Sequence, residues 1–471
     1  MAVDARTSAR MRDDALRLFR EPDPRPVHFV GVAGAGMSAL AELFARRGIL
    51  VTGSDMSAAG NADLEALGIT VHRGHAAEFV NGARAVVTSS AIPADHVEVA
   101  AALELGLPVI RRAEALGAAV DGMQIVGIAG THGKTTTTVM TTEALAGTDA
   151  SPTGIVGGRV QRWGGNLRWG GGNTVVVEAD EYDRSFLALH PTVAVVTNVE
   201  ADHLDIYADL ADITATFEQF LATARGIVLC ADDAGANALR LPESADVIRY
   251  GLDGTDARLV GLRDGAAMRI IFDGAPLGTL ALTVPGDHNR RNALAALAAG
   301  LLLGHPFELL RPGLEAFAGV ERRFERKGEI GDILVIDDYA HHPTEVRATL
   351  DAARAAFPER RLVALFQPHL YSRTRDFAAE FGIALATGAD VVALTDIYKA
   401  REQPIDGVTS QLIADAASRA GHAPEWFGIR ADATAALRAL VRPGDVVLTM
   451  GAGDVTLVGP ELLAALTEGA A

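Results

Sequence analysis

The chain has 471 residues, 49% hydrophobic and 22% charged. That is enough for about three domains of ~150 residues, each with its own core, which excludes a disordered, fibrous or disulfide-stapled chain. Lys and Arg number 42 against 60 Asp and Glu, a net charge of −18; such a surface repels phosphate backbones, so no nucleic acid is expected as partner.

In chain order, Met1–Arg25 mixes Arg with Asp and Glu and lacks an apolar signal core, so a leading helix is expected there. Apolar, β-rich runs then recur. The expected strands are Val27–Val32, Ile49–Val51, Ala85–Ser89, Gln124–Ala129, Thr174–Glu178, Val193–Thr197, Ile227–Cys230, Ile333–Ile336, Arg361–Phe366, Val391–Leu394 and Asp445–Met450. Glycine turns and Ala/Leu/Glu-rich helical stretches separate many of them. This alternation predicts an α/β protein with parallel sheets covered by helices on both faces.

Boundaries are expected near Ala119–Gly122 and Gly319–Arg322, giving domains 1–121, 122–319 and 320–471. Within the middle one, Leu259–Arg263, Met268–Phe272 and Leu280–Val284 alternate like a small inserted antiparallel patch. No apolar run reaches the ~18 residues of a membrane span, and Ala293–Leu303 reads as a buried helix. The single cysteine, Cys230, forbids an internal disulfide. A cytoplasmic protein without membrane insertion is expected. The sequence carries no signal for oligomeric state.

The first glycine loop, Gly31-x-x-Gly34-x-Gly36 followed by Met37 and Ser38, opens a βα unit. Asp55 follows Gly34 by 21 residues, where a ribose-binding acid lies in dinucleotide folds. The same loop geometry suits any diphosphate, so a nicotinamide-dependent oxidoreductase and a UDP-sugar binder both fit it. Ser89, Ser90 and Ala91, at a later strand end, offer further hydroxyl and amide donors, or cap a helix.

The most specific motif is Gly130-Thr-His-Gly-Lys-Thr-Thr136, directly after the apolar strand Gln124–Ala129. Glycines let backbone N–H groups wrap a phosphate at a helix N-terminus. Lys134 can reach the β- and γ-phosphates, and the Thr135 hydroxyl is placed for Mg²⁺. The strict phosphate-loop pattern wants Gly at position 128, where Ile128 stands.

Downstream, Glu178 ends one strand, and Asn198, Glu200, Asp202 and His203 follow another. Carboxylates at the C-terminal ends of parallel strands face the crevice that a phosphate loop faces. Glu178 and His203 are therefore the metal-ligand candidates, while Asp183 also reads as a solvated helix cap. In the last module, Asp338, Tyr339, His341, His342 and Glu345 follow a strand, as do His369, Arg373 and Arg375. His341, His342 and Glu345 only superficially resemble a zinc helix, because adjacent histidines diverge and Pro343 favours a helix start. Met450–Asp454 reads as a tight turn.

Together, GVAGAGMSALAELF, VVTSSAI, GTHGKTTT, VEADEYDRSF, TNVEADHLD, PGDHNRRNALAA, GVERRFE, DDYAHHPTEV, FQPHLYSRT and MGAGD resemble the Mur ligases of peptidoglycan synthesis, over nearly the whole chain from Val27. The last module is similar to the branch that adds L-alanine to UDP-N-acetylmuramic acid at the expense of ATP.

The resemblance implies an N-terminal Rossmann-like domain for the UDP-sugar, a central P-loop ATPase domain with a parallel or mixed sheet, and a C-terminal Rossmann-like domain for the amino acid. It assigns Gly34, Ala35, Gly36, Met37, Ser38, Asp55, His75, Ser89, Ser90 and Ala91 to the UDP-sugar. It assigns Gly130, Thr131, His132, Gly133, Lys134, Thr135, Thr136, Asn289, Asn292, Arg323, Asp338 and Tyr339 to ATP, and His369 and Arg373 to alanine. Thr135, Glu178 and His203 would hold Mg²⁺, two ions by the family pattern, with Mn²⁺ as a substitute. The chain departs from that pattern at Leu370, where Arg often stands, and at Ala340, where Gly is frequent.

The chemistry follows from need. An amine cannot expel oxide from a carboxylate, so the acid is first phosphorylated by ATP and the resulting acyl phosphate is attacked by alanine. Two anions must meet, which calls for cations such as Lys134. Competing readings are a recycling ligase that attaches an intact tripeptide, an oxidoreductase built on the first loop, and a non-catalytic nucleotide switch.

Overall fold

A computed structural model describes residues 5–57, 61–204, 206–253 and 256–470. Three sheets carry the architecture. The first is wholly parallel: β1 (Val27–Val30), β2 (Val51–Asp55), β3 (Thr70–Arg73), β4 (Ala85–Thr88) and β5 (Val109–Arg111), in the order β3-β2-β1-β4-β5. All four residues of β1 and of β4 are buried, as expected of strands covered on both faces.

The second sheet has ten strands: β6 (Gln124–Ala129), β7 (Thr153–Val160), β8 (Gly165–Arg168), β9 (Thr174–Glu178), β10 (Val193–Val196), β11 (Gly226–Cys230), β12 (Asp246–Leu252), β13 (Leu259–Asp264), β14 (Ala267–Phe272) and β15 (Ala275–Ala281). Their order is β15-β14-β13-β12-β11-β10-β6-β9-β7-β8. The phosphate-loop strand β6 thus lies between β9 and β10, the two strands that end in the candidate metal ligands. The expected antiparallel patch is not an insertion. β13 joins β12 in parallel and only then do β14 and β15 turn back, so the patch extends the main sheet. Its third strand is Ala275–Ala281 rather than Leu280–Val284, because the pairing with β14 sets the register and Leu280 already fills the buried position.

The third sheet comprises β16 (Glu325–Ile330), β17 (Ile333–Asp338), β18 (Arg361–Phe366), β19 (Val391–Leu394), β20 (Trp426–Phe427) and β21 (Asp445–Met450), in the order β16-β17-β21-β18-β19-β20. Only β16 runs antiparallel.

The chain packs as two compact units. One is Met1–Leu282 with Arg291–Phe317; the other is Thr283–Arg290 with Ala318–Ala471. The first two sheets share a unit and a continuous apolar core. The leading helix is Ala5–Arg20, and Met1–Asp4 of the expected stretch lie outside the described residues. Ala293–Ala299 are buried in the helix Asp287–Leu302. Among the described residues, no helix is long and apolar enough to cross a membrane.

Candidate functional site

The first loop turns β1 into the helix Ala35–Arg46. Gly31 adopts φ +75°, a conformation that side chains disfavour. The loop is laced to the end of β2: Gly31 N and Val32 N donate to Ser54 O (2.8 and 3.0 Å), and Ala33 N donates to Asp55 Oδ2 (2.9 Å). Asp55 therefore grips the loop backbone. Gly34 caps the helix, and Gly34 and Ala35 lie exposed, so first-turn amides are open to an anion. Met37 is buried, and Ser38 Oγ donates to Ala35 O.

Ser89, Ser90 and Ala91 form the turn after β4, beside β1. They do not cap the following helix, Val97–Glu104, whose cap is His96. His75 follows β3 and its Nδ1 lies 3.1 Å from Ser54 Oγ and 3.0 Å from Glu98 Oε1. Glu98 is fully buried and also meets His28 Nε2 (3.2 Å), the Ser54 hydroxyl (2.7 Å) and Ala76 N (3.2 Å). Burial opposes its charge, but the donors from His28, Ser54 and His75 outweigh it and hold the carboxyl down to about 2. Sequence reasoning missed Glu98: nothing local marks a helical glutamate that will meet two strands and a loop.

The second loop is braced from β10. Thr131 N donates to Asn198 O (3.1 Å), His132 N to Asn198 Oδ1 (2.7 Å) and Thr197 Oγ1 to His132 O (2.6 Å). Gly130 has φ +135°, and a Cβ there would lie 2.1 Å from Thr197 Oγ1. Gly133, φ +81°, caps the helix Lys134–Ala146, and a Cβ on it would lie 2.7 Å from Asn292 Oδ1. Asn292 thus sits over the loop.

Lys134 Nζ donates to Gly130 O (2.7 Å) and Thr131 O (3.2 Å) and pairs with both oxygens of Glu181 (2.9 and 2.8 Å). Burial pushes the Glu181 carboxyl up to about 7 against the pull of Lys134. Burial likewise opposes the Lys134 charge, but Glu181, Asp180 and Glu178 outweigh it and raise its pKa. Thr135 Oγ1 donates to Glu178 Oε1 (2.9 Å), and Gly157 N to Glu178 Oε2 (2.7 Å). Thr136 is buried in the first turn. His203 Nε2 lies 3.7 Å from Glu181 Oε1 and 3.8 Å from Asp202 Oδ2, so it reaches the lysine through Glu181. Glu181 was unexpected; its sequence signal was its place just past the strand that ends in Glu178. Asp183 instead pairs with Arg111 (3.3 Å).

One crevice is lined by Gly36 from the first loop, Arg112, and Gly157, Glu178 and Asp180 from the central sheet. The first glycine loop and Glu178, the partner of the phosphate-loop Thr135, therefore share one crevice.

In the second unit, Asp338 ends β17 and accepts from Phe324 N (2.7 Å) and Ala340 N (2.8 Å). Burial pushes its carboxyl up to about 6 against Arg323. Tyr339 lies between the Arg322 and Arg323 guanidiniums, 4.8 and 4.9 Å from its ring centre. Asn289 Nδ2 donates to Pro285 O (2.7 Å). His342 and Glu345 form a capping box on the helix Pro343–Ala356, with Glu345 also accepting from His341 N; these residues cap a helix, as Pro343 suggested. His369 Nδ1 lies 3.3 Å from Arg373 Nη1, and the His369 ring stacks on Tyr398. Leu370 is buried at φ +70°. Gly451, φ +146°, makes the tight turn after β21.

A strand-end glycine loop, a buried lysine and a helix-start threonine on a carboxylate define a P-loop nucleotide-binding protein of the α/β class. Models of the Mur ligase family catalytic domain, the Mur ligase middle domain and the Mur ligase glutamate ligase domain match residues 26–123, 128–300 and 322–453. The UDP-N-acetylmuramate--L-alanine ligase of Salinibacter ruber is 48% identical over 92% of this chain and 93% of its own. That of Streptomyces coelicolor is 46% identical over 94% and 97%. The crystal structure of the UDP-N-acetylmuramate-alanine ligase of Thermotoga maritima matches with a TM-score of 0.79 at 28% identity, covering 94% of this chain and all of that one. A murein peptide ligase from Psychrobacter arcticus matches at 0.69 and 25% identity, over 94% and 98%. The chain belongs to the Mur ligase family.

Proposed function

We propose that the protein joins L-alanine to the lactyl carboxylate of UDP-N-acetylmuramic acid, with ATP cleaved to ADP and phosphate through an acyl phosphate. Residues 1–121 would take the UDP-sugar, 122–319 ATP and 320–471 the amino acid. The reading rests above all on one observation: Glu178, hydrogen-bonded to the phosphate-loop Thr135, lines the same crevice as Gly36 of the first loop. An acid hanging from a sugar diphosphate on the first loop would therefore face the end of a triphosphate on the second.

In the first step a carboxylate oxygen attacks the γ-phosphorus and the bond to ADP breaks. In the second, the alanine amine attacks the acyl carbon, the bond to phosphate breaks and a proton is released. Lys134 and the amides of Gly130–Thr136 would hold the transferring phosphoryl group, with charge developing where these fixed donors point. Asn289, Asn292, Arg323, Asp338 and Tyr339 would serve the nucleotide, and His369 with Arg373 the alanine carboxylate. The Asp55-braced turn with Gly34, Ala35, Gly36, Met37 and Ser38, together with His75 and the Ser89–Ala91 turn, would hold the UDP-sugar.

The donor set suits a hard divalent cation: Thr135 Oγ1 and Glu178 Oε1 already lie 2.9 Å apart, and the His203 imidazole lies 3.7 Å from the neighbouring Glu181. Thr135, Glu178 and His203 would hold Mg²⁺, or Mn²⁺ in its place, which when bound neutralises phosphate charge.

The test is to incubate the protein with ATP, Mg²⁺ and UDP-N-acetylmuramic acid, offer L-alanine or the tripeptide, and weigh the products. The alanyl adduct is expected. A tripeptide adduct alone, or phosphate release that ignores both acceptors, would overturn the reading.

A further inference from the structure

The shared crevice contains a residue that the resemblance did not single out. Arg112 opens the helix Arg112–Ala119 straight after β5. Its guanidinium lies against Gly36, where an added Cβ would be only 3.0 Å from Nη1. Among the described residues Arg112 is the one cation that lines the crevice, together with the acids Glu178 and Asp180. Its nearest carboxylate, Asp180 Oδ2, is 4.0 Å from Nη2. Compare Arg184, which grips both oxygens of Asp212 at 2.7 and 2.8 Å. The Arg184 fork is fully engaged in a structural pair, whereas that of Arg112 is held loosely and directed into the crevice.

The cavity between these groups is about 50 Å³. On that measure a single water needs ~10–15 Å³, so the space has room for a small polar group such as a carboxylate. A carboxylate entering between Glu178 and Asp180 meets two negative charges, and burying it there without a cation is unfavourable. A guanidinium offers two parallel N–H donors that match a carboxylate.

We infer that Arg112 binds the reacting carboxylate of the sugar acid, orienting one oxygen toward the phosphate loop and making the first module selective for a sugar that bears an acid. Gly36 is then required for a second reason beyond the diphosphate: any side chain there would displace the fork.

This rests on the proposed function, so the wild-type protein is assayed first; no binding of UDP-N-acetylmuramic acid and no ligation would overturn that reading and this inference with it, whereas the variants below decide the inference alone once the wild type binds and ligates. With binding established, calorimetry without ATP compares UDP-N-acetylmuramic acid with UDP-N-acetylglucosamine, which lacks the lactyl acid, on wild type, Arg112→Ala and Arg112→Lys. The wild type should prefer the acid. Arg112→Ala should lose about tenfold or more of that preference while binding the acid-free sugar as before, and Arg112→Lys should fall between. In turnover, KM for the sugar acid should rise with those for ATP and alanine within about threefold. Equal weakening toward both sugars in both variants, or an intact preference in Arg112→Ala, would overturn the inference. The lysine variant keeps the test decisive if the alanine variant fails to fold.

Discussion

The two glycine loops start from the same local design, a buried parallel strand running through glycines into a helix, and end with different chemistry. At the first, the structural work is done by an acid: Asp55 holds Ala33 N, and the helix begins at Gly34 with φ −61°. At the second, the loop is braced by Asn198 and Thr197, and its helix starts with a lysine locked to a buried glutamate. The first has the features of a cradle, which needs only amides and a fixed shape. The second concentrates charge within hydrogen-bond distance of where a phosphoryl group would sit. Loop geometry alone thus says where a phosphate goes; the neighbouring charges say whether it is held or transferred.

The largest test of this contrast is Lys134→Ala. Ligation should fall by about 10³-fold or more, since a preorganised cation at the transferring phosphate is lost, while UDP-sugar affinity stays within about twofold. Calorimetry beside turnover reads both, and near-normal ligation would break the contrast.

Next comes a pair of glycine substitutions. Gly130→Ala forces a Cβ against Thr197 Oγ1 at φ +135°, so a loss of about 3 kcal/mol or more in unfolding free energy is expected. Gly34→Ala meets only Gly31 O at 3.4 Å with an ordinary φ, so about 1 kcal/mol or less is expected. Urea melts of the two variants should differ clearly; equal losses would mean that the loops are under similar constraint. The smallest effect is that of Asp55→Ala, which frees one amide of the first loop. KM for the UDP-sugar should rise about five- to tenfold with KM for ATP unchanged. A rise in both would tie the loops together more closely than the contrast allows.

Much of this was legible in the sequence where a signal is local. The strand Gln124–Ala129 and the loop after it appear as expected, because spacing and glycine content are written within a dozen residues. Glu178 was visible as an acid at a strand end. Less legible were β7 and β8, whose stretch Thr153–Val160 carries three glycines and so hides its strand character. The β15 register depended on pairing with β14 across a bulge at Ile270/Ile271. Glu98, Glu181 and Arg112 acquire their roles only from neighbours distant in sequence, 70 residues away for Glu98 with His28 and 47 for Glu181 with Lys134. Periodicity and motif spacing carry no information at that range.

The Lys134–Glu181 pair has a consequence for turnover. An anion arriving at Lys134 does not find a bare ammonium; it must evict a carboxylate that already touches it with both oxygens. On the proposed function, nucleotide affinity there would be an exchange of one counter-ion for another, smaller than the phosphate contact alone would give. The same glutamate would reclaim the lysine as the spent nucleotide departs, which would favour release of the product.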